Sequence, residues 1–279
     1  MLTELIGTSS KGARVLPLLF LASSPVFAAD VAPLEERIRE VKIVKQNGRT
    51  SFLTDFHTFY RISYSDPGDT SNPSDLKPLP QKSRDEITQG INLRRHLEGE
   101  WGAYFAASNI SFTKRWTDPL GGRGEFSPSS FVPQKHEAID IFVAKEGVPV
   151  YSPVNGVVIA SGSGWKGKCC KGKLIHSWNG YGLTPKAGNA VVIYEPSKKG
   201  YLWISHLGKV NATAGDIVLQ GQEIGAVGNT GNASRYGGGN HIHMAYKLPA
   251  AEGTLKGMNV SSLLKEAQKH PIHGVYANR

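Results

Sequence analysis

The chain has 279 residues, 39% of them hydrophobic, which excludes wholesale disorder and allows one large domain or a medium domain with a smaller partner. Its formal net charge of +9 favours polyanionic surroundings, such as an acidic polymer or an anionic lipid. No compact Lys/Arg block or nucleic-acid-binding motif accompanies that charge, so no nucleic acid is expected as a partner.

At the N-terminus, Lys11 and Arg14 precede an apolar run from Val15 to Ala22, broken only by Pro17. Ser23, Ser24 and Pro25 follow, then Val26, Phe27 and Ala28. Charged, apolar and small-residue zones in that order read as a signal peptide over 1–28, with cleavage after Ala28 and export to the periplasm or the exterior. The run is too short for a permanent bilayer anchor, and no later apolar stretch reaches spanning length, so the mature chain is expected to lack a transmembrane anchor.

Residues 29–107 form an N-terminal region of mixed character. Leu34, Ile38 and Val41 have helical spacing and predict a short amphipathic helix. The stretch from Ser51 to Tyr64 is rich in Phe, Tyr and Thr and predicts a strand or hairpin, and Asp66 to Gln81 is crowded with Pro, Asp, Ser and Gly and predicts a loop. Ser83 and Glu86 have capping-box spacing and predict a helix running toward Arg95 or beyond, weakened in its middle by Gly90. No chemistry-bearing constellation is visible in this region.

From about Ser108 short β-rich runs alternate with Gly-rich turns. Gly147–Val154 and Val157–Ala160 flank Asn155-Gly156, a hairpin signal. Further strands are predicted at Ala190–Tyr194, Tyr201–Ser205, Ile217–Leu219, Glu223–Val227 and His241–Lys247, and a short helix at Val260–Lys269. The spacing argues for a mainly β protein, α+β overall, built on an antiparallel sheet rather than on βαβ units. Between Gly162 and Gly188 lies a long Lys- and Gly-rich stretch, expected to be a surface loop bordering a substrate groove. It holds the two cysteines, Cys169 and Cys170, whose adjacency permits only a strained ring, so no disulfide framework is expected.

Three short segments carry candidate chemistry. His136 and Asp140 stand four apart where a loop enters an alternating strand, and an imidazole with a carboxylate suits zinc. His241 and His243 are two apart on a predicted strand and so share a face, opposite the apolar Ile242, Met244 and Tyr246. His206 closes the apolar run Tyr201-Leu202-Trp203-Ile204-Ser205, just before Gly208. Singly, each is compatible with ordinary surface or structural histidines.

Together the segments resemble the M23 family of zinc endopeptidases, which includes the lysostaphin-like and LytM-type enzymes. The resemblance rests on His136…Asp140, on Ser205-His206-Leu207 and on His241-Ile242-His243. Gly147-Val148-Pro149-Val150, Asn155-Gly156-Val157-Val158, Gly188-Asn189, Gly221-Gln222-Glu223-Ile224-Gly225 and Gly228-Asn229-Thr230-Gly231 fall in family order between them. It covers roughly residues 110–263 and sets a peptidase domain at 108–263, followed by a tail at 264–279; it does not reach residues 29–107.

The resemblance implies one zinc ion per chain held by His136, Asp140 and His243, with His206 and His241 as catalytic histidines. Three protein ligands leave the open position that a catalytic zinc needs. Which histidine performs which proton transfer stays open at this level. Asn189 and Asn240 are candidate substrate-binding residues. Ala138, Asn240 and Ile204 stand where the family usually has Gly, Pro and Tyr, departures expected to touch specificity more than catalysis. The implied activity is hydrolysis of peptidoglycan stem peptides or cross-bridges. The alternatives are a cell-wall-binding or amidase-activating module of the same fold without catalysis, and a secreted protease or toxin acting on other peptides. Modules of the first kind typically lack zinc ligands, whereas this chain retains the full set.

Overall fold

The computed structural model describes residues 42–46, 49–53, 84–133, 135–165, 183, 186–236, 239–250 and 255–269. The helix predicted at Leu34–Val41, the signal segment, most of the Gly162–Gly188 stretch and both cysteines lie outside the described residues.

In chain order the strands are β1 (Lys42–Gln46), β2 (Arg49–Leu53), β3 (Glu125–Phe126), β4 (Ile139–Val143), β5 (Pro149–Tyr151), β6 (Gly156–Gly162), β7 (Asn189–Glu195), β8 (Gly200–Val210), β9 (Ile217–Val218), β10 (Glu223–Val227), β11 (Asn240–Pro249) and β12 (Leu255–Met258). The α-helices are α1 (Arg84–Ala107), α2 (Ala233–Tyr236) and α3 (Ser261–Gln268). β1 and β2 pair as a hairpin; the other ten strands form one sheet with the path β3-β4-β11-β8-β7-β6-β9. All its pairings are antiparallel, as the strand spacing predicts. Among the described residues no helix is long and apolar enough to cross a membrane.

One local expectation fails. Asn155-Gly156 does not turn a hairpin between β5 and β6, because β5 pairs with β10 while β6 pairs with β7 and β9. Gly156 serves another purpose: a Cβ there would fall 2.4 Å from the Tyr194 carbonyl oxygen, so glycine lets two strands approach closely. Asn155 is used as a clamp, its Oδ1 accepting from Gln220 N at 2.6 Å and its Nδ2 donating to Ser111 O at 2.6 Å.

Alternation divides the sheet into two faces. Ile139, Ile141, Val191, Ile193, Leu202, Ile204, Ile242 and Met244 point to one side, where Val150, Ile224, Trp116, Leu120 and Leu264 close a continuous core over them. Val157, Ile159, Val192, Trp203 and Ala245 point to the other side, against α1. The helix reaches them through Leu93, Leu97, Trp101 and Phe105, an apolar stripe at every fourth residue. Burying such a stripe is worth roughly 1.5–3 kcal/mol per large side chain before entropy is counted. The helix foreseen from Ser83 toward Arg95 therefore continues to Ala107 because its second half has a sheet to rest on. The β1–β2 hairpin joins the same assembly through Phe52, which packs edge-on against Tyr104 at 5.2 Å and donates its backbone N–H to Gly215 O at 2.8 Å. Phe52 of the hairpin and α1 thus share one apolar cluster with the sheet.

Candidate active site and metal centre

The candidate residues meet where β4, β11 and β8 lie side by side. Asp140 on β4 is the direct cross-strand partner of His243, and His243 is in turn opposite Ser205 on β8. Cross-strand partners project from the same face with Cβ atoms about 4.5–5.5 Å apart, so register alone brings carboxylate and imidazole together. His243 Nδ1 lies 2.9 Å from Asp140 Oδ1, and His136 Nε2, from the loop before β4, lies 3.6 Å from Asp140 Oδ2. The ligating atoms of His136, Asp140 and His243 all fall within 4.8 Å of one another.

The donor set fits a zinc ion. Two imidazoles and a carboxylate are typical zinc donors, and one ligand atom from each lies within 4.8 Å of the others, near enough to converge on a single ion. His136 Nδ1 is 2.5 Å from Ser130 O, and a carbonyl can only accept, so Nδ1 carries the proton and Nε2 presents its lone pair to Asp140. Outer hydrogen bonds of this kind fix the orientation and tautomer of metal-binding histidines. Burial raises the Asp140 carboxyl, but the hydrogen bond from His243 and the charges of His243, His136 and His241 outweigh it and hold the group below its ordinary value. A carboxylate that stays ionised is the form a metal needs.

His206 reaches the group by breaking the alternation of β8. Leu202 and Ile204 face the closed core, so regular pleating would send His206 there too. Instead His206 takes φ +65°, its N–H donates to Ala187 O at 2.9 Å, and Leu207 occupies the core-facing position. A left-handed φ in a residue other than glycine costs on the order of 1 kcal/mol, and here it turns the ring toward the site. The His206 ring lies 5.0 Å from that of His241 and 5.6 Å from that of His243. Two glycines let the flanking loops close around this kink. At Gly188, φ is +63° and a Cβ would meet Gly231 N at 2.4 Å; at Gly231, φ is also +63°.

His206 and His241 share the same nitrogen arrangement. His206 Nδ1 donates to Thr230 O at 2.9 Å and His241 Nδ1 donates to Gly239 O at 3.1 Å, so the Nε2 lone pair is free on both rings. Burial, followed by the nearby His243 and His241, pushes the His206 imidazole down to about 3, which keeps it neutral near pH 7. The five candidate ligands and catalytic residues are therefore brought together.

The two asparagines are placed differently. Asn189 is buried and its Oδ1 accepts from Trp165 N at 2.8 Å, which ties down the chain after β6. Asn240 opens β11 opposite Val143, at the rim. The structure adds two residues that no single-residue pattern exposes. Ser130 accepts from His136 through its carbonyl and from Asp140 N through Oγ at 3.1 Å. Thr230 takes the His206 proton on its carbonyl while its Oγ1 donates to Leu207 O at 2.9 Å. Thr230 lies in the glycine-flanked run 228–231, which is the local signal that could have found it.

Residues 134–254 match the family model described as Peptidase family M23. Among solved structures, the antimicrobial peptidase lysostaphin from Staphylococcus simulans is 19% identical, with 60% of this chain and 61% of that chain covered and a TM-score of 0.40. The NMR solution structure of lysostaphin is 21% identical, with 55% of each chain covered and a TM-score of 0.40. The chain thus spans 55–61% of the length of these lysostaphin structures. A zinc-containing peptidase from Vibrio cholerae is 24% identical over 53% of this chain and 39% of that one, with a TM-score of 0.32.

Proposed function

We propose, from the match of residues 134–254 to the model of peptidase family M23 and from the geometry of the site, that the chain is a zinc-dependent endopeptidase hydrolysing peptide crosslinks of bacterial peptidoglycan, with the glycan strands left intact. The observation that carries this reading is the convergence of His136, Asp140 and His243 beside two buried histidines with free Nε2 atoms. Those three residues would hold one zinc ion per chain. When bound, zinc polarises a carbonyl and lowers the pKa of water to about 7.

The protein's own groups supply orientation and proton transfer. Asp140 stays ionised, and Ser130 locks the His136 ring with Nε2 facing inward. His241, with Nδ1 bonded to Gly239 O, is positioned to take a proton from the attacking water at Nε2 and return it to the leaving amine, while the buried His206, held neutral, can orient that water as an acceptor through its Nε2. Once protonated, His241 can also donate to the oxygen on which charge develops. The strained φ of His206 and its tether to Thr230 hold one of these acceptors in place before substrate arrives.

Segment 1–28, read as a signal peptide, would deliver this site to the periplasm or the exterior, where peptidoglycan is the abundant crosslinked amide polymer. The net charge of +9 would draw the protein to anionic envelope polymers, an attraction that weakens with salt. The test is digestion of purified peptidoglycan with mass spectrometry of the muropeptides. Each cut should release one new amine and one new carboxylate, a chelator should stop release, and added zinc should restore it. New reducing sugar ends without new amines would overturn the proposal.

A further inference from the structure

The sheet face that bears the site carries a second rung of side chains. Glu125 on β3, Phe142 on β4 and His241 on β11 are successive cross-strand partners, so all three project from one face. Asp140, His243 and Ser205 form the neighbouring rung, two residues along the strands. The outer rung therefore starts at a catalytic histidine and ends at a carboxylate. Phe142 is 38% exposed although it sits in mid-sheet, and its ring lies 5.1 Å from His241 with 31° between the planes. Glu125 is exposed at the edge strand. In a chain of net charge +9, the end of this rung is acidic.

Adjacent strands are about 4.8 Å apart, so Glu125 stands roughly 10 Å from His241. A four-carbon side chain and one hydrogen bond can cover that distance. A phenyl ring beside a carboxylate matches an aliphatic stem that ends in an ammonium: the stem lies on the ring, the ring face attracts the cation, and the carboxylate pairs with it. We propose that Phe142 and Glu125 form a specificity subsite for a substrate residue bearing a free side-chain amine, next to the bond that is cut. This proposal rests on the reading of the site as a peptidase. It adds a substrate class, peptides with a cationic diamino-acid residue, and names the two residues that select it.

The probes are Ac-Ala-Lys-Ala-NH2 and the same peptide with its side-chain amine acetylated. Their dissociation constants for the metal-free full chain, read by NMR titration, test the subsite without turnover. The wild type should bind the free-amine form about five- to tenfold more tightly, the range of an exposed ion pair with a cation–π contact. Glu125→Gln should lower the ratio at least about twofold, Glu125→Lys should reverse it, and Phe142→Ala should weaken both forms and lower the ratio. A wild-type ratio near one, a ratio unmoved by Glu125→Gln, or no measurable binding of either peptide overturns the subsite. The peptidoglycan digest is scored separately. Discrimination in binding with no new amines in the digest keeps the subsite and discards the endopeptidase. New amines with a binding ratio near one do the reverse.

Discussion

The two halves of one sheet face differ in a single respect, what lies over them. On β8, Tyr201 and Trp203 sit under α1, while Ser205 and His206, a few residues on, belong to the site. On β11, Ala245 belongs to the α1 cluster, and His243 and His241 continue the same alternation into the site. The covered half is apolar, and the charge it admits is matched: the Glu98 carboxyl, raised by burial, accepts from the Tyr201 hydroxyl and lies 3.5 Å from Arg94 Nε. The open half collects four imidazoles and a carboxylate, partly reachable by solvent, with His136 34% and His243 29% exposed. Identical strand geometry thus serves as core under α1 and, beyond the reach of α1, carries the candidate site.

The largest expected effect separates the halves most sharply. His243→Ala should lose both zinc and all measurable hydrolysis while remaining folded, because it deletes a ligand but no core contact; full zinc content by elemental analysis would show that the ligand assignment is wrong. Next, His206→Ala and His241→Ala should each keep zinc and lose about 10²–10⁴-fold in kcat, the usual worth of a positioned proton acceptor. Hydrolysis at the parental rate by either variant would return that histidine to a structural role. On the covered half the expectation inverts. Trp101→Ala should cost about 3–5 kcal/mol of stability in urea unfolding, since the ring is fully buried against Tyr194 at 5.2 Å, yet zinc stoichiometry of the folded protein should be unchanged. Loss of zinc by still-folded Trp101→Ala protein would mean that the two halves are not separable.

The smallest effect is a pH dependence. Glu98 has a folded pKa above its unfolded value of 4.5, chiefly through burial. Its contribution is therefore fully present below pH 4.5 and is lost as pH rises through the folded pKa. Glu98→Gln keeps a partner for Tyr201 and removes this titration. Wild-type stability should fall relative to Glu98→Gln as pH rises from about 4.5 through that window; parallel stability curves would contradict the burial of this charge.

Much of this architecture was legible before the structure. Period-two runs predicted β7, β10 and β11 nearly to their ends, and the His136…Asp140, His206 and His241…His243 segments named all five residues that converge. Local signals misled where a residue serves a distant neighbour. Asn155-Gly156 has the composition of a tight hairpin, but Gly156 is small because the Tyr194 backbone passes close by. Asn189 Oδ1 accepts from Trp165 N, a contact across 24 residues that no local pattern shows.

The inventory of side chains and their alternation belong to the chain before it folds. Two imidazoles at i and i+2 must share a face on any strand, and an apolar residue between them must point the other way. The folded sheet alone sets Asp140 opposite His243, since register between β4 and β11 joins residues 103 positions apart. It alone turned His206 out of the core, because the bonds holding its φ of +65° come from Ala187 and Thr230, on loops that meet only after the sheet has formed. It alone set which nitrogen faces the site on three of the four rings, since the carbonyls of Ser130, Thr230 and Gly239 claim Nδ1 of His136, His206 and His241. The physical reason is common to all three: strand periodicity is a property of the backbone, whereas register, strained dihedrals and tautomers are set by partners that chain distance does not reveal.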